Sequence, residues 1–204
     1  MSIVKLNNRG VKNATAFGSI TGLGSMTFIK KLTASSSATI SFVDGTSDVV
    51  LDDTYKEYLF TFNNIHPATD GTNLTVGFRD GGTDYDATKT SSFFWSYHGE
   101  DDVSILQYST GRDLAQSTAF DPISSNVGNG NDECVSGTLH LFNPSSTTFV
   151  KHFIATVNAS YRSNRSHNTF TAGYCNVTAA IDAVQFKFAS GDIDAGVIKM
   201  YGVS

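Results

Sequence analysis

The stretch Tyr55-Lys-Glu-Tyr-Leu-Phe-Thr-Phe-Asn63 sets Tyr58, Phe60 and Phe62 on one side of an extended chain. Glu57 and Thr61 fall on the other side, with Leu59 as the one apolar residue there. Side chains two apart share a face in a β-strand, so this period of two predicts a strand with one face in a core. The same rhythm runs outward in both directions. Met26, Phe28, Lys30 and Leu32 share a face, as do Ile40 and Phe42. Leu74, Val76 and Phe78 alternate with Thr75, Gly77 and Arg79, and Phe93, Trp95 and Tyr97 alternate ahead of His98-Gly99.

Longer strands are expected in the second half, over Thr138–Asn143, Thr148–Arg162 and Thr169–Val177, the first two joined by the turn Asn143-Pro-Ser-Ser146. Val184, Phe186 and Phe188 lead through Ser190-Gly191-Asp192 to Val197–Val203, which reads as a hairpin. Only Asp113–Ala119 hints at a helix, and Pro67, Pro122 and Pro144 all lie between runs, where a missing N–H harms no ladder. The expected fold is therefore all-β, a single antiparallel β-sandwich of jelly-roll type with ten to twelve strands. Residues 26–204 form this domain, and residues 1–25, containing Gly18, Gly22 and Gly24, are expected to be an amino-terminal arm that packs on a neighbouring subunit.

Composition agrees with that class. The 204 residues include 24 serines, 23 threonines, 15 phenylalanines and 8 tyrosines, but only three glutamates and ten leucines, which favours strands and turns over helices. A hydrophobic fraction of 40% and an aromatic fraction of 12% can build a core, which excludes a disordered chain. A net charge of −5 is not the basic footprint of a nucleic-acid binder. No run approaches the roughly 18 apolar residues of a membrane helix, and the opening ten residues hold no apolar stretch of signal-peptide length. Neither a membrane nor a nucleic acid is expected as a partner. Cys134 and Cys175 either pair or stand as two separate thiols.

Chemistry-bearing patterns are sparse. The five histidines have no paired spacing, and neither a Gly-x-Ser-x-Gly elbow nor a phosphate loop occurs. Glu100-Asp101-Asp102 reads as a solvated run before it reads as a glycosidase acid pair, so no catalytic residue and no enzyme activity is expected. Asp80, Asp84 and Asp86 in the loop Asp80-Gly-Gly-Thr-Asp-Tyr-Asp86 are candidate calcium ligands, because alternating carboxylates on a glycine-rich loop supply oxygens. The spacing is not that of an EF-hand, and a plain polar turn explains it as well. Trp95, Tyr97, Tyr85 and Tyr108 are candidate sugar-stacking residues if they lie exposed on one sheet or rim, against the alternative that Phe93-Phe94-Trp95 is core.

Three blocks carry a resemblance. Met1-Ser-Ile-Val-Lys-Leu-Asn-Asn-Arg-Gly-Val with Ala16-Phe17-Gly18-Ser19-Ile20 is the first, and Tyr55-Lys-Glu-Tyr-Leu-Phe-Thr-Phe-Asn-Asn-Ile-His-Pro67 is the second. The third is Ile181-Asp-Ala-Val-Gln-Phe-Lys-Phe-Ala-Ser-Gly-Asp-Ile-Asp-Ala-Gly-Val-Ile-Lys-Met-Tyr-Gly202. Together they resemble bacteriophage virion structural proteins, especially those of marine tailed phages. The resemblance implies a non-enzymatic protein on the particle exterior, assembled in the bacterial host cytoplasm. It would be a capsid decoration protein or a short tail-associated tip, homo-oligomeric and expected to be a trimer, with capsid or tail proteins as partners. A tail-fibre adhesin reading host surface glycans is the alternative. No catalytic motif travels with the resemblance.

Overall fold

A computed structural model describes residues 26–204, all in strands, turns and loops. The expected arm over residues 1–25 lies outside the described residues. Among those described, no helix is long and apolar enough to cross a membrane, and Asp113–Ala119 is a loop. Twelve strands follow in order: β1 Met26–Ser37, β2 Ile40–Val43, β3 Glu57–Pro67, β4 Leu74–Arg79, β5 Lys89–Gly99 and β6 Ser104–Tyr108. They continue with β7 Asp121–Pro122, β8 Val135–Phe142, β9 Lys151–Tyr161, β10 Arg165–Cys175, β11 Ala183–Phe188 and β12 Ile193–Val203.

Two antiparallel sheets form the sandwich. The large one has eight strands in the order β1-β12-β3-β8-β9-β10-β5-β6, and the small one has four in the order β2-β11-β4-β7. This strand order defines the connectivity. In β3 and the small sheet the alternation sorts faces as expected: Tyr58, Phe60 and Phe62 are buried between the sheets, and so are Phe42, Phe78, Val184, Phe186 and Phe188. In β1 a bulge between Phe28 and Lys30 breaks the expected common face, leaving Phe28 outward beside Tyr201 and Leu32 against the core beside Ile198. Phe186 meets Phe60 and Phe62 from the opposite sheet edge-on, with centroids 5.5 and 5.1 Å away, and Phe78 meets Phe153 at 5.0 Å. Edge-to-face packing at these distances is the favoured aromatic geometry, and it ties the two layers together.

One expectation is corrected. Val184–Phe188 and Val197–Val203 do not form a hairpin, because β11 pairs with β2 and β4 while β12 pairs with β1 and β3. Ser190-Gly191-Asp192 carries the chain from one sheet to the other. Gly191 has φ 71°, a conformation costly for other residues, and the Ser190 N–H donates to Thr72 Oγ1 at 3.1 Å, which pins the crossing. By contrast, the turn after Phe142 does join neighbouring strands, β8 and β9.

The two sheets are unequal in width. At about 4.8 Å per strand spacing, eight strands span roughly 34 Å and four span roughly 14 Å. The small sheet therefore leaves part of the inner face of the large sheet to be covered by loops or left open.

Candidate functional site

The small sheet stops at β7. The Pro122 carbonyl accepts from Thr171 Oγ1 at 3.1 Å, and the Ile123 carbonyl accepts from Thr169 Oγ1 at 2.7 Å. Beyond those two threonines the next inward-facing residues of β10 are His167 and Arg165. Along β5 the same face runs from buried Phe93 to half-buried Trp95 and Tyr97. Register sets Tyr97 beside His167 and Tyr161 beside Arg165. The turn that makes this last pair has Asn164 at φ 57° and its N–H on the Tyr161 carbonyl at 2.9 Å, a left-handed position asparagine tolerates well.

The loop between β7 and β8 forms the facing wall. The Val127 N–H donates to the Thr72 carbonyl at 2.8 Å, and the Gly128 N–H donates to the Ser160 carbonyl at 3.1 Å, which fixes Ser125 and Asn126 over the sheet. With the Asn126 amide oriented by its hydrogen-bond network, its nitrogen donates to the Gly71 carbonyl at 3.1 Å. Its oxygen accepts from Arg112 Nη2 at 3.0 Å and from the Tyr161 hydroxyl at 3.1 Å.

The result is a cleft of about 310 Å³ lined by Trp95, Tyr97, Arg112, Ser125, Asn126, Tyr161, Arg165 and His167. Trp95 and Tyr97 lie nearly parallel, 5.4 Å apart at 11°. The His167 ring sits 5.0 Å from Trp95 and 5.2 Å from Tyr161. The Arg165 guanidinium lies 4.4 Å from the centre of the Tyr97 ring, a cation–π contact. Among the described residues neither Arg112 nor Arg165 pairs with a carboxylate. His167 is only 2% exposed, and among the described residues neither its Nδ1 nor the buried Nε of Arg112 has a hydrogen-bond partner. Burial, reinforced by Arg112 and Arg165, pushes the His167 imidazolium down to about 4, so the ring is neutral at pH 7.

A second hollow of about 680 Å³ adjoins the cleft, with Tyr161 and Arg165 as the common wall. Its rim carries Glu100, Asp102, Asp132 and Glu133 together with Asn158 and Asn164. Flat aromatic faces, fixed amide groups and a ring of acceptors suit a hydroxyl-rich ligand with an apolar face. Stacking holds such a ligand while the polar groups orient it.

Of the four candidate stacking residues, the structure brings Trp95 and Tyr97 together. Tyr85 packs against Phe120 at 6.4 Å and does not line the cleft. Tyr108 is exposed opposite the outward-facing Phe94, and its hydroxyl donates to Asp113 at 2.7 Å. Among the described residues no three His, Cys, Asp or Glu side chains gather as a cation site, so Asp80, Asp84 and Asp86 do not converge. Sequence reasoning missed Tyr161, Arg165 and His167. The signal was Tyr161-Arg-Ser-Asn-Arg165, a short turn between two strands that makes its flanking residues cross-strand neighbours.

The interior also holds charge that the alternation did not reveal. Lys89, Cys175 and Lys151 are register neighbours on β5, β10 and β9, and all three are fully buried. Lys89 Nζ donates to the Ala87 carbonyl at 2.7 Å, and Lys151 Nζ donates to the carbonyls of Val177 and Ala179. Burial lowers both ammonium groups and pushes the Cys175 thiol up to about 12. Burial likewise pushes the Asp121 carboxyl up to about 7, against the pull of the Ser91 hydroxyl and the Lys89 charge. The two cysteines are free; Cys175 is buried and Cys134 partly exposed.

Compared with known protein families, curated proteins and solved structures, the chain matches none.

Proposed function

We propose that this chain is a non-enzymatic structural protein of a bacteriophage particle, carried on the particle exterior as a capsid decoration protein or a short tail-associated tip. The observation that carries the reading, alongside the resemblance, is the outward face of the large sheet. Register lines up Phe28, Tyr201, Leu59, His140, Ile154 and Ala172 across six neighbouring strands of that face. Beside this row, Phe94 and Phe170 stack at 4.8 Å, next to Tyr108. Phe28 is 56% exposed and Ile154 48%. A broad face with large apolar side chains is what a protein packed beside copies of itself or a capsomer would bury. Two of the resembling blocks, Tyr55–Pro67 and Ile181–Gly202, contain the whole of β3 and β11 and most of β12.

Antibodies raised against the purified chain test this on intact particles. Labelling of capsid or tail in negative-stain images is expected. Unlabelled particles that also lack the chain by mass spectrometry would overturn it. Light scattering at micromolar concentration tests the assembly separately: an oligomer, expected to be a trimer, supports decoration, and a clean monomer argues against it.

A second reading, a carbohydrate-binding adhesin of the tail, is favoured by one specific observation, the stacked Trp95–Tyr97 pair in a cleft beside Tyr161 and His167. A glycan array probed with the intact chain should show binding to a bacterial surface polysaccharide. Substituting W95A should abolish that binding while leaving the melting temperature near that of the parent.

A further inference from the structure

Resting on the glycan reading of the cleft, we infer that its ligand is an acidic sugar: a pyranose carrying a carboxylate or sulfate group, set among neutral neighbours in its polymer. Among the described residues the cleft is lined by two guanidinium groups and no carboxylate. Of the four described arginines only Arg79 pairs with a carboxylate, and two of the other three, Arg112 and Arg165, converge on this one small space. Arg165 is held in place by the faces of Tyr97 and Tyr161, at 4.4 and 5.8 Å, without using up its N–H donors. Arg112 is held through Nη2 on Asn126 and through Nη1 on the Ser109 hydroxyl at 3.4 Å, and its buried Nε has no partner among the described residues. His167 adds a buried, unpartnered Nδ1 in the same wall. An anionic oxygen is the acceptor guanidinium groups bind most strongly, and Arg165 keeps its N–H donors for one.

The rings decide what carries the anion. Trp95 and Tyr97 stack on one another, so a flat apolar ring face lies against this stack, not between its rings, while its charged substituent reaches the arginines. The neighbouring hollow sets the charge density of the polymer. Glu100, Asp102, Asp132 and Glu133 on its rim would repel a second acidic group on the next sugar and accept hydrogen bonds from neutral hydroxyls. The site therefore selects against uniformly charged chains.

Trp95 is the only tryptophan in the chain, so its emission reports on the cleft directly. The intact protein is titrated with methyl β-glucuronide, methyl β-glucoside and glucose 6-sulfate while Trp95 fluorescence is followed. The glucuronide or the sulfate ester should shift the emission with an affinity about tenfold or more above the glucoside, the difference one charge-assisted bond makes. Comparing those two arms tells which acidic group fits. R165Q should cancel that preference, so that the acidic sugars bind no more tightly than the glucoside measured on the same variant, and R112Q provides the same comparison should R165Q fail to fold. A glucoside that binds as tightly as both acidic sugars overturns the inference and leaves the glycan reading standing. If none of the three moves the emission, both fall.

Discussion

Phe186 of the small sheet stands edge-on to Phe62 of the large sheet, with ring centroids 5.1 Å apart and planes at 77°. The same ring also meets Phe42 at 6.4 Å and Phe60 at 5.5 Å, so one side chain joins both layers. F186A should cost about 3–5 kcal/mol in urea-denaturation stability, since it removes a fully buried ring and leaves a cavity that aromatic neighbours cannot close. F186L should cost less. A loss below about 1 kcal/mol for F186A would contradict the central position of this ring.

The pH dependence of stability contains two opposed contributions. Asp121 has its carboxyl raised from 3.8 to about 7, so between those values the folded chain keeps a proton that the unfolded chain has released. Its contribution is full below pH 3.8 and is lost as pH rises through 7. His167 is lowered from 6.5 to about 4, so between those values the unfolded chain holds the extra proton and stability rises with pH. Each slope is at most about 1.4 kcal/mol per pH unit, and they cancel over the shared window. D121N should expose a rising stability from pH 4 to 6.5, and H167N a falling one. Urea midpoints across that range check both, and a D121N profile superimposable on the parent would refute the assignment.

The two thiols should differ sharply in reactivity. The thiolate is the reactive species, and Cys175 is both buried and pushed to about 12. Ellman's reagent should titrate Cys134 alone in the native protein and both residues in denaturant. Loss of both free thiols under non-reducing conditions would mean that they pair.

Calcium should have no effect on folding through Asp80, Asp84 and Asp86. A ligand that binds only the native state raises the melting temperature with its concentration. Calorimetric scans with calcium and with a chelator should coincide, and a calcium-dependent rise would show that the loop closes around a cation.

Most strand positions and inward faces were readable from the residues, because a period of two is a local property of an extended chain, but the bulge after Phe28 and the strand Ser104–Tyr108 were not. Tyr58, Phe60 and Phe62 point inward for the same reason that Val184, Phe186 and Phe188 belong to one run. The buried Lys89 and Lys151 were not readable, since their carbonyl partners come from folded loops that give no periodic signal. Trp95 and Tyr97 were identifiable as a pair on one face; whether that face was core or open was not.

Two matters were settled only by the three-dimensional arrangement. One is sheet membership: Ser190-Gly191-Asp192 reverses the chain, but a reversal is equally compatible with a hairpin and with a step between layers. The long-range pairing of β12 with β1 and β3 selects the step. The other is the cleft, which exists because four strands cannot roof eight, and that mismatch in width is a property of the assembled sheets rather than of any segment. Local alternation thus determines which residues face inward, and the relative breadth of the two layers determines which of those faces stay open to a ligand.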